Sequence, residues 1–297
     1  MTTAEAATQE LYEPGHSRGL LDAFKHSFLL SLIVKKEVKV RYRGSFLGLF
    51  WTYLKPAVSF GVYYFFVGYA LGQRSMPDFA IYLFSGQVIV HFFNESFRNT
   101  TRAIRNNAAL VRKIYLPREL FILAAWRVAI VHFFPQLIIL ALIALMFGWV
   151  PSIMSIIAII TAILIISLFS IALGMTFATA NVFFRDSENL VDLITSITTW
   201  FSPVIYHFSQ IASIKGLPHW LMNVYYLNPI TSAVDLFHYA FWHTALTPQQ
   251  LTDQPVISQI TPHIIEFSII SIVASLALLL IGQLIFRKFE GKFAQEL

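Results

Sequence analysis

No cysteine occurs anywhere in the chain, which excludes disulfides and thiolate metal sites. Charge is scarce as well. Asp, Glu, Lys and Arg make up 12% of the residues, about half the share of a water-soluble domain, whereas 57% are hydrophobic and the mean hydropathy is +0.65. A water-exposed globule is therefore excluded. Carboxylates are rarest inside the apolar runs: Glu95, Glu119, Asp192 and Glu266 all fall near run ends, and the centres of the third and fourth runs have none. Proton- or sodium-driven transporters bury carboxylates near the bilayer midplane, so ion coupling is not expected. No G-x-x-x-x-G-K-[ST] occurs to cradle nucleotide phosphates, and no H-E-x-x-H to hold zinc. His238 and His243 stand five apart, off one helical face, so neither a metal site nor a metalloenzyme is expected.

What the chain does contain is apolar length. About 20 apolar residues make one helical span, and runs of that order lie near 45–71, 79–97, 119–147, 153–180, 189–208 and 264–286. They do not alternate as barrel strands do. The expected fold is all-α: a polytopic membrane protein with six transmembrane helices. Residues 1–44 form an N-terminal region, 45–286 the membrane domain and 287–297 a tail. MTTAEAATQELYEPG lacks the basic start and apolar core of a secretory signal, so the N-terminus is expected to stay in the cytoplasm. Lys and Arg are retained on that side during insertion. Seventeen of the 21 fall in segments that an N-in, C-in arrangement places inside, whereas the outer segments hold only Arg74 and Lys215. Topology and lipid headgroups thus account for the net charge of +5, and nucleic-acid binding is not expected.

Three further segments have their own character. In RGLLDAFKHSFLLSLIV, 18–34, Leu21, Phe24, Phe28 and Leu32 share one helical face, which suits an amphipathic helix lying in the membrane interface; packing against the protein itself is the plainer alternative. The stretch 98–118 carries Arg98, Arg102 and Arg105 at i, i+4 and i+7, then Arg112 and Lys113. It reads as a short basic helix in the cytoplasm, or as an anchor on anionic lipid. The outer stretch 207–263 is rich in Trp, Tyr, Phe and Leu, and Pro218 and Pro229 divide it into pieces too short or too polar to span. Re-entrant or interfacial outer helices are expected between spans five and six.

Four stretches together resemble the permease subunits of ABC-2 type exporters of lipid-linked polysaccharides, the family that moves O-antigen, teichoic acid, capsule and galactan. RYRGSFLGLFWTYLKP, with Arg41, Tyr42, Arg43, Gly48, Trp51 and Pro56, resembles the start of that family's first span. NAALVRKIYLPREL, Asn107 to Leu120, resembles its coupling region. NVFFRDSENLVDLITSITTWFSPVIY resembles the link from its fourth to fifth span, and LNPIT its outer segment. Lys55 departs from the pattern, standing where an uncharged polar residue such as Asn is expected before the proline. The resemblance implies a multi-pass protein of the bacterial inner membrane that dimerises with a second copy of itself and is not an enzyme by itself. It also implies two separate ABC ATPase subunits, which hold the ATP and Mg, docking on 98–116 through Arg98, Arg102, Arg105, Asn106, Arg112 and Lys113. Two alternatives are an ABC-2 permease for a small hydrophobic drug or another lipid, and a membrane-embedded glycan-processing enzyme.

Two groups of residues are candidates for carrying transport. Lys55 and Arg127 each lie about ten residues into a span, roughly 15 Å deep. A charge so placed costs about 2.5–3.5 kcal/mol unless it meets water or a partner. With Arg41 and Arg43 they are candidates for the entrance of an anionic lipid pyrophosphate head; hydrogen bonding to carbonyls freed by Pro56 or Pro135 is the alternative. Phe46, Phe50, Tyr53, Phe60 and Tyr64 recur on one face of span one, flanked by Trp51 and Tyr63, and Trp200, Phe201 and Tyr206 cluster around Pro203. Aromatic faces give sugars an apolar platform with a hydrogen-bonding edge, so these residues are candidates for the glycan path, against interfacial belts or helix packing. Kinks at Pro56 and Pro203 are expected where that path opens.

Overall fold

The computed structural model describes residues 19–73, 76–113, 116–184, 186–214, 218–253 and 260–297. Residues 1–18, with Arg18, and also Arg74, Arg185 and Lys215 of the charge count lie outside the described residues, as do the side chains of Leu21 and Phe24. Every regular element among the described residues is helical. Among the described residues, three helices are long and apolar enough to cross a membrane: α6 (Glu119–Met146), α7 (Ile153–Phe183) and α13 (Ile264–Glu290). Nearly continuous Leu, Ile, Ala and Val explain them, because with few side chains to hydrate, the backbone must satisfy its own hydrogen bonds. At the N-terminus of α7, Ser152 caps with its hydroxyl on the Ser155 amide at 3.1 Å.

At the centre stands α4 (Phe79–Asn106), 28 residues without a break. It packs on α6 through Phe92 against Phe133, and on α7 through Phe93 and Phe97 against Phe169 and Phe177; Phe92, Phe93 and Phe97 are all buried. Small residues bring the helices close: a Cβ on Gly174 of α7 would collide with Thr100 of α4, and one on Gly282 of α13 would meet the Ala172 carbonyl. The basic stretch 98–106 continues α4 rather than forming a separate helix. Only after a break at Asn107 does α5 (Ala108–Lys113) begin.

The apolar run 45–71 becomes helical later than its composition suggests. Residues 42–47 form a turn, a single 3₁₀ turn follows at Gly48–Phe50, and α3 (Trp51–Tyr63) continues as a π-helical segment to Ala70. Gly44 and Gly48 have φ of 75° and 50°, which permits the turn. Lys55 is therefore the fifth residue of α3, about one and a half turns in, and not ten residues deep.

The run 189–208 also differs from expectation. Its helix α8 (Ser187–Thr198) has 12 residues, about 18 Å, and the chain then turns through 199–206. Pro203 disfavours helix at the preceding residue. The Tyr82 hydroxyl lies 2.8 Å and 2.7 Å from the Pro203 and Tyr206 carbonyls, holding the turn against α4.

Short helices make up the stretch 207–263: α9 (Phe208–Ala212), α10 (His219–Leu227), α11 (Pro229–Phe237) and α12 (Pro248–Asp253). The Asn228 side chain caps α11 on the Ile230 amide at 3.1 Å, with Pro229 at its first turn. A π turn carries α11 on to Trp242. Every residue of α11 is buried, and it wedges between α4, α7 and α13.

The N-terminal segment is two helices, α1 (Leu20–Lys25) and α2 (Ser27–Arg41). On α2, Leu30 and Ile33 are buried against α6, while Phe28 and Leu32 of the apolar face read from the sequence are exposed. The reason is packing: Leu30 and Ile33 fit the cluster of Ala103, Ile104, Leu120 and Leu123, where Phe28 and Leu32 cannot also reach. The tail forms α14 (Phe293–Glu296), which packs on α5 and α7. Gathering α2, α5, α14 and the adjoining helix ends gives the molecule one basic end, where Arg98, Arg102, Arg105, Arg287 and Lys288 lie.

Candidate transport vestibule and its neighbouring cavity

A cavity of about 710 Å³ opens near the basic end, walled by the turn after α2 and by α3, α4 and α6. Its lining carries Arg41, Lys55, Arg98 and Arg102 against the single carboxylate of Glu95, so its field is positive. One network builds most of its wall. Arg41 Nη1 donates to Glu95 Oε1 at 2.7 Å, and Arg41 Nη2 to Asn99 Oδ1 at 2.8 Å. Glu95 Oε1 also pairs with His132 Nδ1, and His132 Nε2 lies 2.9 Å from the Tyr42 hydroxyl, which in turn bonds Thr52. Four separate segments, α2, the turn, α4 and α6, are thereby tied to the start of α3. Lys55, exposed in this cavity, has no hydrogen-bond or ion-pair partner among the described residues.

Of the proposed entrance cations, the structure brings Arg41 and Lys55 together here. Arg43 is exposed in the turn, and Arg127 is half-buried on α6; neither lines the cavity.

The arginines at i, i+4 and i+7 face inward to α8. Arg98 Nε lies 3.0 Å from Asp192, Arg102 bridges Glu188 at 3.0 Å and Asp192 at 3.3 Å, and Arg105 meets Glu188 at 2.9 Å. Asn181 of α7 joins them, accepting from Arg105 at 3.2 Å and donating to Glu188 at 3.1 Å. By contrast, Asn106, Arg112 and Lys113 are exposed.

The aromatic set divides. Trp51 lines the vestibule, while Phe46 and Phe50 are exposed at its rim, Phe46 ahead of the helix altogether. Phe60 stacks on Tyr64 at 5.7 Å and meets Phe84 edge-on at 5.3 Å, and Tyr64 stacks on Phe79; these two pack α3 to α4. Tyr53 is half-buried. Tyr63 meets the exposed Trp200 edge-on at 6.5 Å and spans α3 and the turn after α8, where Tyr206 donates to the Trp200 carbonyl at 3.1 Å. Phe201 is exposed beside them.

A second cavity of about 220 Å³ adjoins the vestibule, sharing Pro56, His91 and Asn94 with it. Polar residues that the sequence reading passed over line it: Gln87 and Asn94 of α4, Gln136 of α6 and Thr199 after α8. Their signal is a stripe, since Gln87, His91, Asn94 and Arg98 recur at i, i+4, i+7 and i+11 along one face of α4.

The chain is similar to the O-antigen export system permease protein RfbA of Klebsiella pneumoniae, 24% identical over 267 residues, which cover 90% of this chain and 94% of that protein. It is also similar to the RfbA permease protein of Myxococcus xanthus, 27% identical over 227 residues, covering 76% of this chain and 84% of that protein. A match to the ABC-2 type transporter family spans residues 29–242, and the chain belongs to that family.

Proposed function

We infer that this chain is the transmembrane permease subunit of an ATP-driven exporter of a lipid-linked polysaccharide in the bacterial inner membrane. The observation that carries this reading is the positive vestibule with an unpartnered Lys55, opening onto a neutral hydroxyl- and amide-lined cavity. An anionic lipid head suits the first, and the names of the two relatives supply the cargo class. In this reading the chain crosses the membrane six times with both termini inside, α1 and α2 lie in the interface with Phe28 and Leu32 toward lipid, and α9 to α12 are the outer re-entrant segment. Two copies form the path and two ABC ATPase subunits, carrying ATP and Mg, dock beneath. Exposed Asn106, Arg112 and Lys113 are the docking contacts, and Arg98, Arg102 and Arg105 pass the motion to α8 through their carboxylate partners. The work is conformational rather than covalent.

Co-purification with the ATPase followed by ATP hydrolysis in lipid nanodiscs tests the reading. A polyprenyl pyrophosphate carrying a glycan should stimulate hydrolysis. Stimulation by uncharged amphiphiles alone would point to a drug or lipid permease, and turnover of glycan without the ATPase would overturn the transport reading.

A further inference from the structure

The 220 Å³ cavity between α3, α4, α6 and α8 contains no Lys, Arg, Asp or Glu in its lining. It does contain amides with spare hydrogen-bonding capacity. Gln87 has no side-chain hydrogen bond among the described residues, and the buried Oδ1 of Asn94 has no partner. Gln136 donates to the His132 carbonyl at 3.1 Å, which leaves its own carbonyl oxygen. Between helices in a membrane, an unsatisfied buried polar atom costs about 1–3 kcal/mol, so these groups call for a hydrogen-bonding occupant. The volume far exceeds the ~10–15 Å³ that one water needs.

The chemistry of the occupant follows from the lining. An anion would need a cation, and no Lys or Arg among the described residues lines the cavity; an acyl chain would leave the Gln87 amide, the Asn94 Oδ1 and the Gln136 carbonyl oxygen unpaired. A neutral polyol satisfies both conditions, because each hydroxyl donates and accepts as an amide does. Tyr63 and Phe84 add aromatic surface for the apolar face of a sugar ring. Through Asn94 and His91 the cavity adjoins the positive vestibule, so a ring seated there stands beside a head group bound by Lys55.

We propose that this cavity is a binding subsite for a neutral sugar residue next to the lipid pyrophosphate, with Gln87, Asn94 and Gln136 as its hydrogen-bonding residues. The proposal rests on the exporter reading above and adds a specificity element to it. The permease–ATPase complex in nanodiscs is titrated with two probes, a polyprenyl pyrophosphate without sugar and the same lipid carrying a neutral disaccharide, and ATP hydrolysis is read. Gln87→Leu should reduce the preference for the glycosylated probe about tenfold relative to the unsubstituted complex. Ser59→Phe, which fills the cavity without removing an internal hydrogen bond, should do the same, with co-purified ATPase reporting assembly. An unchanged preference in both variants, in a complex that responds to the glycosylated probe, overturns the subsite alone. A complex that responds to neither probe overturns the exporter reading and the subsite with it.

Discussion

Arg41 at the end of α2 and Glu95 in the middle of α4 are joined at 2.7 Å, and the same carboxylate oxygen receives His132 from α6. One carboxylate thus holds the N-terminal segment, the central helix and a long apolar helix in one arrangement around the vestibule. Glu95→Gln should weaken it. Arg41 is partly open to the cavity, so the expected loss of about 1–2 kcal/mol lies between the values for exposed and buried pairs. Thermal unfolding of purified protein measures it, and Glu95→Asp should lose less.

Lys55 has room and no partner, so replacing it should cost the fold little and the head group much. Lys55→Gln is expected to raise the half-stimulating concentration of a polyprenyl pyrophosphate about tenfold, equivalent to about 1.4 kcal/mol, with a weaker salt dependence. Titration at two ionic strengths checks both.

Docking and transmission should separate by mutation. Arg112→Glu with Lys113→Glu is expected to abolish co-purification of the ATPase, because both side chains are exposed on α5. Arg105→Ala should leave co-purification intact yet lower export. A double-mutant cycle of Arg105→Ala with Glu188→Ala should give a coupling of about 0.5–3 kcal/mol.

At the crossing of α4 and α7, Gly174→Val should destabilise the protein by at least the ~1–3 kcal/mol typical of overpacking, since its side chain would collide with Thr100. Combining it with Thr100→Ala should restore part of the loss in thermal unfolding.

Burial raises the Asp235 carboxyl in α11 from 3.8 to about 7, against a smaller opposing hydrogen bond from Thr261. An acid whose folded value is raised favours the folded state below its unfolded value, so stability should fall as pH rises from about 4 to about 7 and level off above. Asp235→Asn should flatten that decline in unfolding temperature measured across the window.

Much of the fold is legible in the sequence where a single helix decides its own fate. The runs over 119–147, 153–180 and 264–286 read directly as helices, because long, nearly unbroken apolar stretches determine them. The early end of α8 does not, since the tyrosine that pins the following turn lies 121 residues away from Pro203 in the chain. Likewise, the pairing of Arg102 with Glu188 is invisible to a reading that scores positive charge only for topology. The contacts of the first aromatic run are not legible in its periodicity: Phe60 and Tyr64 obey the spacing, but that they pack against Phe84 and Phe79 of α4 depends on a helix the spacing does not see. The amide stripe on α4 was readable, yet neutral side chains carry no charge to draw attention within an apolar run.

Because α4 runs 28 residues uninterrupted, about 42 Å, its two ends belong to one rod. Tyr82 grips the turn after α8 at one extremity, and Arg102 and Arg105 grip the start of α8 near the other. A tilt of about 5° would sweep one extremity by roughly 4 Å over that length. The helix therefore forms a connecting rod with α8 clamped along it at both ends, so a displacement at the basic end of the bundle reaches its opposite end without crossing a flexible joint.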